Sequence, residues 1–323
     1  MGDKASRDML DAVNKQVGLL QSPAEAMRDL KYALKLHADW LLGRAGGVRA
    51  DLRGKTFAEI KLHGADLRGA MLQGVTFVEA DLAGTNFGSA VLDQADFRQS
   101  ALTAADFTGA NLGQALFDGA VMTGAVLCDA KIGLASFQKC QLAETRFIGC
   151  EGQGVNFSEA QLRGAAFHQS RLSESKFRSA SLTDATFQNS KLSVCTFNGA
   201  TGDNVNFQSA KLQNCDFNRA ELHYAKFART ELSHCIFLGT DLFEADFRGS
   251  ANVMGDFAGA NLGGARFTSA KLSYCDMRAA VLKAAKDLTP EQLLASRTDH
   301  RTVLPNGLPG PYTKGSGAER PCR

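Results

Sequence analysis

From Leu52 to Leu282 the chain sets a large apolar residue at nearly every fifth position. Five matches neither the 3.6-residue period of a helix nor the two-residue period of a strand. The register runs through 47 consecutive pentapeptides, from Ala50 to Ala284, without insertion or deletion. Their centres are 20 Phe, 21 Leu, two Met and one Ile, interrupted only by Gly152, Gly202 and Asn252. Two residues before each centre stands a small residue, with Lys55 and Ile60 as the exceptions. A chain that buries one large and one small side chain in every five must turn a corner in each unit, with its other three residues facing outward or making the turn. Four corners close a square coil of about 20 residues, and stacked coils hydrogen-bond at the ~4.8 Å spacing of neighbouring strands.

Phe and Leu alternate through most of this region, a ten-residue period inside the coil. Two opposite faces therefore supply Phe and the other two supply Leu, so that rings stack on rings. At roughly 1.5 to 3 kcal/mol for each large buried side chain, this ladder is the main stabilising term, opposed by the ordering entropy of the chain. About 12 coils are expected, in a rod roughly 56 Å long.

The units ADLRG at 65–69, ADFTGANLGQ at 105–114 and ADFRG at 245–249 resemble the pentapeptide repeat family, whose motif is A(D/N)LXX. The resemblance implies an all-β solenoid, a right-handed quadrilateral β-helix, over residues 50–284. An open solenoid end exposes apolar side chains and unpaired backbone, so both flanks are expected to cover ends. In 1–49, SPAE at 22–25 reads as a capping box with Pro23 at the first helical position, ahead of a helix to about Leu42 that is apolar along Met27, Leu30, Leu34, Trp40 and Leu41. A shorter helix carrying Met9, Leu10, Val13, Val17 and Leu20 precedes it. The pair reads as a helical cap, with a dimerisation surface as the alternative. In 285–308, TPEQLL at 289–294 repeats the device with Thr289 as N-cap, and a second helical cap is expected. From 309 to 323 the chain is rich in Pro and Gly and is expected to be a flexible tail.

The chain carries 36 basic and 34 acidic residues, a balance that announces neither a nucleic-acid binder nor an acidic mimic. The first twenty residues lack the apolar core of a signal peptide, and no run of 18 apolar residues occurs, which points to a cytoplasmic protein. Six of the eight Cys (140, 150, 195, 215, 235, 275) hold the small inward position and read as stand-ins for Ala rather than a metal or redox ladder. The six His form no ligand spacing, and many acids fall just before a unit centre, where the repeat itself expects Asp or Asn. They read as solvated or backbone-bonding groups rather than acid–base pairs. No phosphate loop, nucleophile elbow or dinucleotide fingerprint is present, so no enzyme activity, cofactor or metal is expected.

Three surface features are candidates for contact. Leu116, Val121 and Val126 place apolar side chains just before three successive centres, in the coil 115–134 that also carries Leu134, and together read as a greasy collar. Crowding by neighbouring side chains is the alternative. Lys131, Arg171, Lys191, Lys211 and Lys271 share one phase of the coil as a broken basic stripe, interrupted by Glu151 and Glu231, and read as a solvated face rather than a phosphate site. The core defects Gly152, Gly202 and Asn252 lie 50 residues apart; each is expected to leave a cavity or a bulge that bends the rod or forms a recognition loop, unless they are relics of a duplicated block.

Understood members of the family that this chain resembles mimic DNA, bind gyrase or related topoisomerases and protect them from quinolones or peptide toxins. Those rods are acidic, whereas residues 50–284 here hold 22 basic and 24 acidic residues. The leading expectation is a rigid, non-catalytic, cytoplasmic bacterial scaffold that offers a flat surface to a protein partner or to a second copy of itself. No direct nucleic-acid or membrane binding is expected, and the DNA mimic is the alternative.

Overall fold

The computed structural model describes residues 23–321. After the helix α1 (Pro23–Leu41), the chain climbs as a parallel β-solenoid. Residue n bridges residue n + 20 in four columns. The first face runs through Asp51, Met71, Val91, Asn111 and Lys131 to Glu151; the second starts at Thr56, the third at Lys61 and the fourth at Asp66. On the first face the bridges lengthen into a seven-stranded parallel sheet: β1 (Glu151–Gln153), β2 (Arg171–Ser173), β3 (Lys191–Ser193), β4 (Lys211–Gln213), β5 (Glu231–Ser233), β6 (Ala251–Val253) and β7 (Lys271–Ser273).

Most corners are β-turns, while those at β1 to β6 are bends. In the unit 65–69, Leu67 accepts from the amide of Ala70 at 3.0 Å, with Gly69 at φ 68°. A turn of this kind needs a left-handed third residue, which is why the last position of so many units is Gly. The same conformation is imposed on Leu134 and Val194, at φ 58° and 57°. Stacked turns and bridges hold those side chains against their own preference.

The large apolar residues fill the rod. Phe rings of the second face stack along the axis, as in Phe97–Phe117 at 5.0 Å and 4° and Phe117–Phe137 at 4.8 Å and 3°. The fourth face makes a second stack that meets the first edge to face, as in Phe107–Phe117 at 5.7 Å and 89°. Opposite faces thus supply the rings, and both favoured aromatic geometries are used at once. Buried hydroxyls at the small position find backbone acceptors: Thr145 Oγ1 donates to the Met122 carbonyl at 2.9 Å and Ser190 Oγ to Phe187 at 2.6 Å. A polar group there leaves no unpaired donor.

At the start of the rod, Leu30 joins the buried core and Ala33 and Leu34 pack against it. His37 is buried; its Nδ1 accepts the Ala50 amide at 3.1 Å, and its ring stacks on Trp40 at 5.2 Å. Burial pushes the imidazole below its ordinary value of 6.5, against the opposing pull of Asp66. Because the folded value lies below the unfolded one, this contact is complete above about pH 6.5 and is lost as the pH falls through the folded value. Trp40 is the only Trp of the chain, so its emission is expected to titrate below neutrality in the wild type and stay flat in His37→Gln. Identical titrations of the two proteins would refute the assignment. Ser22 and the helix expected around Met9 to Leu20 lie outside the described residues.

At the other end, the ladder outlasts the repeat. Arg266 bridges Lys286, Asp276 bridges Arg297 and Val281 bridges Val303, so a further turn is built from chain without the five-residue pattern. It contains α2 (Pro290–Leu294), where Thr289 and Gln292 form a reciprocal capping box. Gln292 Nε2 also donates to the Phe267 and Ala270 carbonyls at 3.0 and 2.7 Å. Within the tail expected to be flexible from 309, the described residues pack back as far as Glu319. Gly310 donates its amide to Thr302 at 2.6 Å, the Tyr312 amide reaches Thr298 Oγ1 at 3.0 Å, and Tyr312 and Ala318 are buried. Two isolated apolar anchors hold it, and isolated anchors leave no periodic trace in a Pro/Gly-rich stretch.

Candidate interaction surfaces

The collar encircles one coil. Leu116, Val121 and Val126 stand half-buried on the second, third and fourth faces, and Leu134 is 60% exposed on the first. Polar or small residues bracket each half-buried member along the axis: Asp96 and Ser136 beside Leu116, Ala101 and Gln141 beside Val121, Asp106 and Arg146 beside Val126. The same coil departs from the repeat inside. Its centres are Phe117, Met122, Leu127 and Ile132, and Leu127 interrupts the fourth-face stack between Phe107 and Phe147. Cys128, half-buried and two residues after Val126, belongs to this coil too. Sequence reasoning passed over it because it lies outside the inward register that marks the other described thiols.

Those six thiols, Cys140, Cys150, Cys195, Cys215, Cys235 and Cys275, are buried. The thiols of Cys140 and Cys150 donate to the Phe117 and Leu127 carbonyls at 2.8 and 2.7 Å. Burial pushes Cys140 up to about 12 and Cys275 up to about 11. A thiol reagent attacks the thiolate. Mapped labelling of the native protein is therefore expected to modify Cys128 and spare these six until the chain unfolds; early labelling of Cys215 would contradict the packing. Among the described residues no group of three or more His, Cys, Asp or Glu is placed to hold a metal.

The acids before unit centres bond to the backbone. Asp66 Oδ1 accepts the Arg68 amide at 3.2 Å, and the Arg68 guanidinium clasps both carboxylate oxygens at 2.9 and 2.7 Å. That clasp holds the Asp66 carboxyl below its ordinary value. Asp276 and Arg278 repeat the arrangement near the far end. These are local turn fasteners at the surface, and exposed ion pairs of this kind contribute little to stability.

Lys131, Arg171, Lys191, Lys211 and Lys271 line up on the first face. The interrupting acids pair within the row, Glu151 with Arg171 at 2.6 Å and Glu231 with Lys211 at 2.9 Å. Lys131, Lys191 and Lys271 form no ion pair among the described residues.

At the core defects the register runs straight through. Gly152 pairs with Leu172, and Asn252 pairs with Leu232 and Leu272. Gly202, on the third face, donates its amide to Glu221 at 2.8 Å. The ladder runs through both glycines without the expected bulge, and neither has room for a Cβ. A Cβ on Gly152 would lie 2.6 Å from Val155 Cγ2, and one on Gly202 would lie 2.7 Å from the Leu182 carbonyl carbon. Asn252 fills its slot with a buried amide whose Nδ2 donates to Ser250 Oγ at 2.9 Å.

A parallel β-solenoid with an apolar interior and continuous ladder faces defines the class of protein. Models described as pentapeptide repeat region (residues 129–194 and 170–247) and pentapeptide repeats (48–77, 60–99, 105–140 and 255–285) match most of the rod. The chain belongs to the pentapeptide repeat family. Similar solved structures include HetL, a pentapeptide repeat protein involved in heterocyst differentiation regulation from the cyanobacterium Nostoc sp. strain PCC 7120, at 22% identity over 84% of this chain and 97% of that one, TM-score 0.28. A trypsin-treated form of QnrB1, a plasmid-mediated fluoroquinolone resistance protein, matches at 16% identity over 52% of this chain and 91% of that one, TM-score 0.34. A pentapeptide repeat protein of the Arabidopsis thaliana thylakoid lumen matches at 29% identity over 30% and 67%, TM-score 0.21. The family assignment rests on the repeat models, not on these superpositions. No curated protein matches the chain. Among the described residues no helix is long and apolar enough to cross a membrane.

Proposed function

We propose that this protein is a non-catalytic interaction rod of the bacterial cytoplasm: a right-handed quadrilateral β-helix of about 12 coils, covered by helices at both ends, that binds a protein partner around its collar. The observation that supports this reading is the coincidence within one coil. Residues 115–134 break the outer polar pattern with Leu116, Val121, Val126 and Leu134 and break the inner Phe stack with Leu127. Apolar surface of this kind often marks a contact site. Leu116→Ser with Val126→Ser is expected to abolish capture of the partner on immobilised full-length protein, with the melting temperature little changed. Bound partner should also shield Cys128 from labelling. Unchanged capture by the double variant would exclude the collar.

A second reading, a DNA-mimicking binder of gyrase or a related topoisomerase, draws support from the third face. Its outward residues from Ser181 to Gly264 include Asp184, Asp203, Glu221, Asp241 and Glu244, with no Lys or Arg. Under that reading the rod retains topoisomerase subunits, and Glu221→Lys with Glu244→Lys releases them while the collar variant does not.

A further inference from the structure

The third face and the first face lie opposite each other and carry opposite net charge over residues 170–229. There the third face holds Asp184, Asp203 and Glu221, and the first holds Arg171, Lys191 and Lys211 with Glu174 as its one acid. The next rung of the first face is Glu231. On the third face, Glu221 and Asp241 occupy successive rungs and His223 bridges two acids, its Nδ1 3.2 Å from Asp203 and its Nε2 3.3 Å from Asp241. Tyr224 and Phe243 stand among these acids, 44% and 39% exposed, in edge contact at 6.2 Å. Cations enter only around the corners, as Arg219 and Lys226 on the neighbouring faces. On the first face, Arg171, Lys191 and Lys211 occupy successive rungs, and Val194 is exposed between them. Both rows climb by one residue per coil, so their charges share one spacing, the ~4.8 Å between neighbouring strands.

We propose that the third face of one copy docks against the first face of a second copy. Asp203, Glu221 and Asp241, on three successive coils, meet Arg171, Lys191 and Lys211, drawing Arg171 and Lys211 from their pairs with Glu151 and Glu231, and the Tyr224–Phe243 pair covers Val194. Two flat ladders of equal rise can keep every rung in register, whereas a partner without that repeat could match only one or two charges. The contact is heterologous, so each rod keeps one free acidic and one free basic face and association continues side by side. The inference rests on the reading of the rod as a binding surface but uses faces other than the collar.

Sedimentation of the full chain tests it. The wild type is expected to associate at low ionic strength and to disperse at about 1 M salt, where the screening length falls to roughly 3 Å. Lys191→Glu with Lys211→Glu makes both faces acidic, and Asp203→Lys with Glu221→Lys and Asp241→Lys turns the three docking rungs of the third face basic. Each variant alone is expected to associate at least about tenfold more weakly than the wild type. An equimolar mixture of the two should associate again. Lys191→Gln with Lys211→Gln, which adds no new repulsion, should weaken association to a smaller degree, and melting curves of all variants verify folding. A wild type that stays monomeric at low salt, or a mixture that does not associate, would overturn the proposal. So would association that only the collar variant abolishes, or an acidic face that captures a basic protein while the rod itself stays monomeric. Loss of the charge-dependent association with intact collar-dependent capture would leave the interaction-rod reading standing.

Discussion

Phe177→Ala is expected to cost about 3–5 kcal/mol of stability, among the largest effects of any single truncation in the rod. Phe177 is fully buried. It stacks on Phe157 at 4.9 Å and Phe197 at 4.7 Å, and meets Phe167 and Phe187 edge to face at 5.8 and 5.5 Å. Removing the ring opens a void between four others whose positions are fixed by ladders on both sides, so little collapse is available. Phe57, with one stacked neighbour at 5.7 Å and 6% exposure, borders fewer fixed rings, and Phe57→Ala should cost about half as much. Phe177→Leu is tolerated far better, at about 1 kcal/mol, because Leu127 already occupies an equivalent slot. Chemical denaturation followed by circular dichroism measures all three; equal losses at Phe57 and Phe177 would contradict the packing described.

Gly202→Leu restores the residue that the repeat favours, yet it is expected to destabilise the protein by at least about 2–3 kcal/mol. The obstacle is backbone. A Cβ at Gly202 would sit 2.7 Å from both the Leu182 carbonyl carbon and the Thr183 nitrogen and 3.1 Å from Leu182 Cα. No rotamer change relieves that contact, so even Ala must push the preceding coil away from its own hydrogen bonds. Gly152 differs in kind. Its obstacles under 3 Å are side-chain atoms, Val155 Cγ2 at 2.6 Å and Ile132 Cγ1 at 2.9 Å, which yield by a strained χ1 turn where backbone cannot. Gly152→Ala should therefore cost only about 1 kcal/mol, the scale of an off-rotamer side chain, and less than Gly202→Ala. A Gly202→Leu protein more stable than wild type would show that the slot is an unfilled core position after all.

These glycines mark where one-dimensional reasoning stops. The five-residue register is enough to place Phe97 over Phe117 and Leu172 over Leu192, because each corner consumes a fixed number of residues and stacking follows by addition. It also places Thr289 and Gln292 at a helix start, since a capping box is local. The response of neighbours to a missing side chain is not local: Val155 and the Leu182 backbone approach from other units, and no pattern of spacing records how far they move. The turn spanning Arg297 and Val303 escaped for a related reason, as its bridges close at 21 and 22 residues rather than 20. On the surface, the collar and the basic row were legible as phases of the coil. The pairing of Arg171 with Glu151 and the exposed Tyr224–Phe243 contact needed side chains in three dimensions.

Hydrogen exchange across the three defects tests most directly whether this is one unbroken rod that binds through its faces rather than through loops. The amides of Gly154, Gly202 and Met254 donate to Ser173, Glu221 and Ser273 at 2.8, 2.8 and 2.9 Å, as their counterparts do in regular coils. Protection within about tenfold of the flanking units is the expected result. Exchange at 151–155, 201–205 and 251–255 as fast as in the chain termini would mean that the coils open there, and would move the binding function from the faces to the defects.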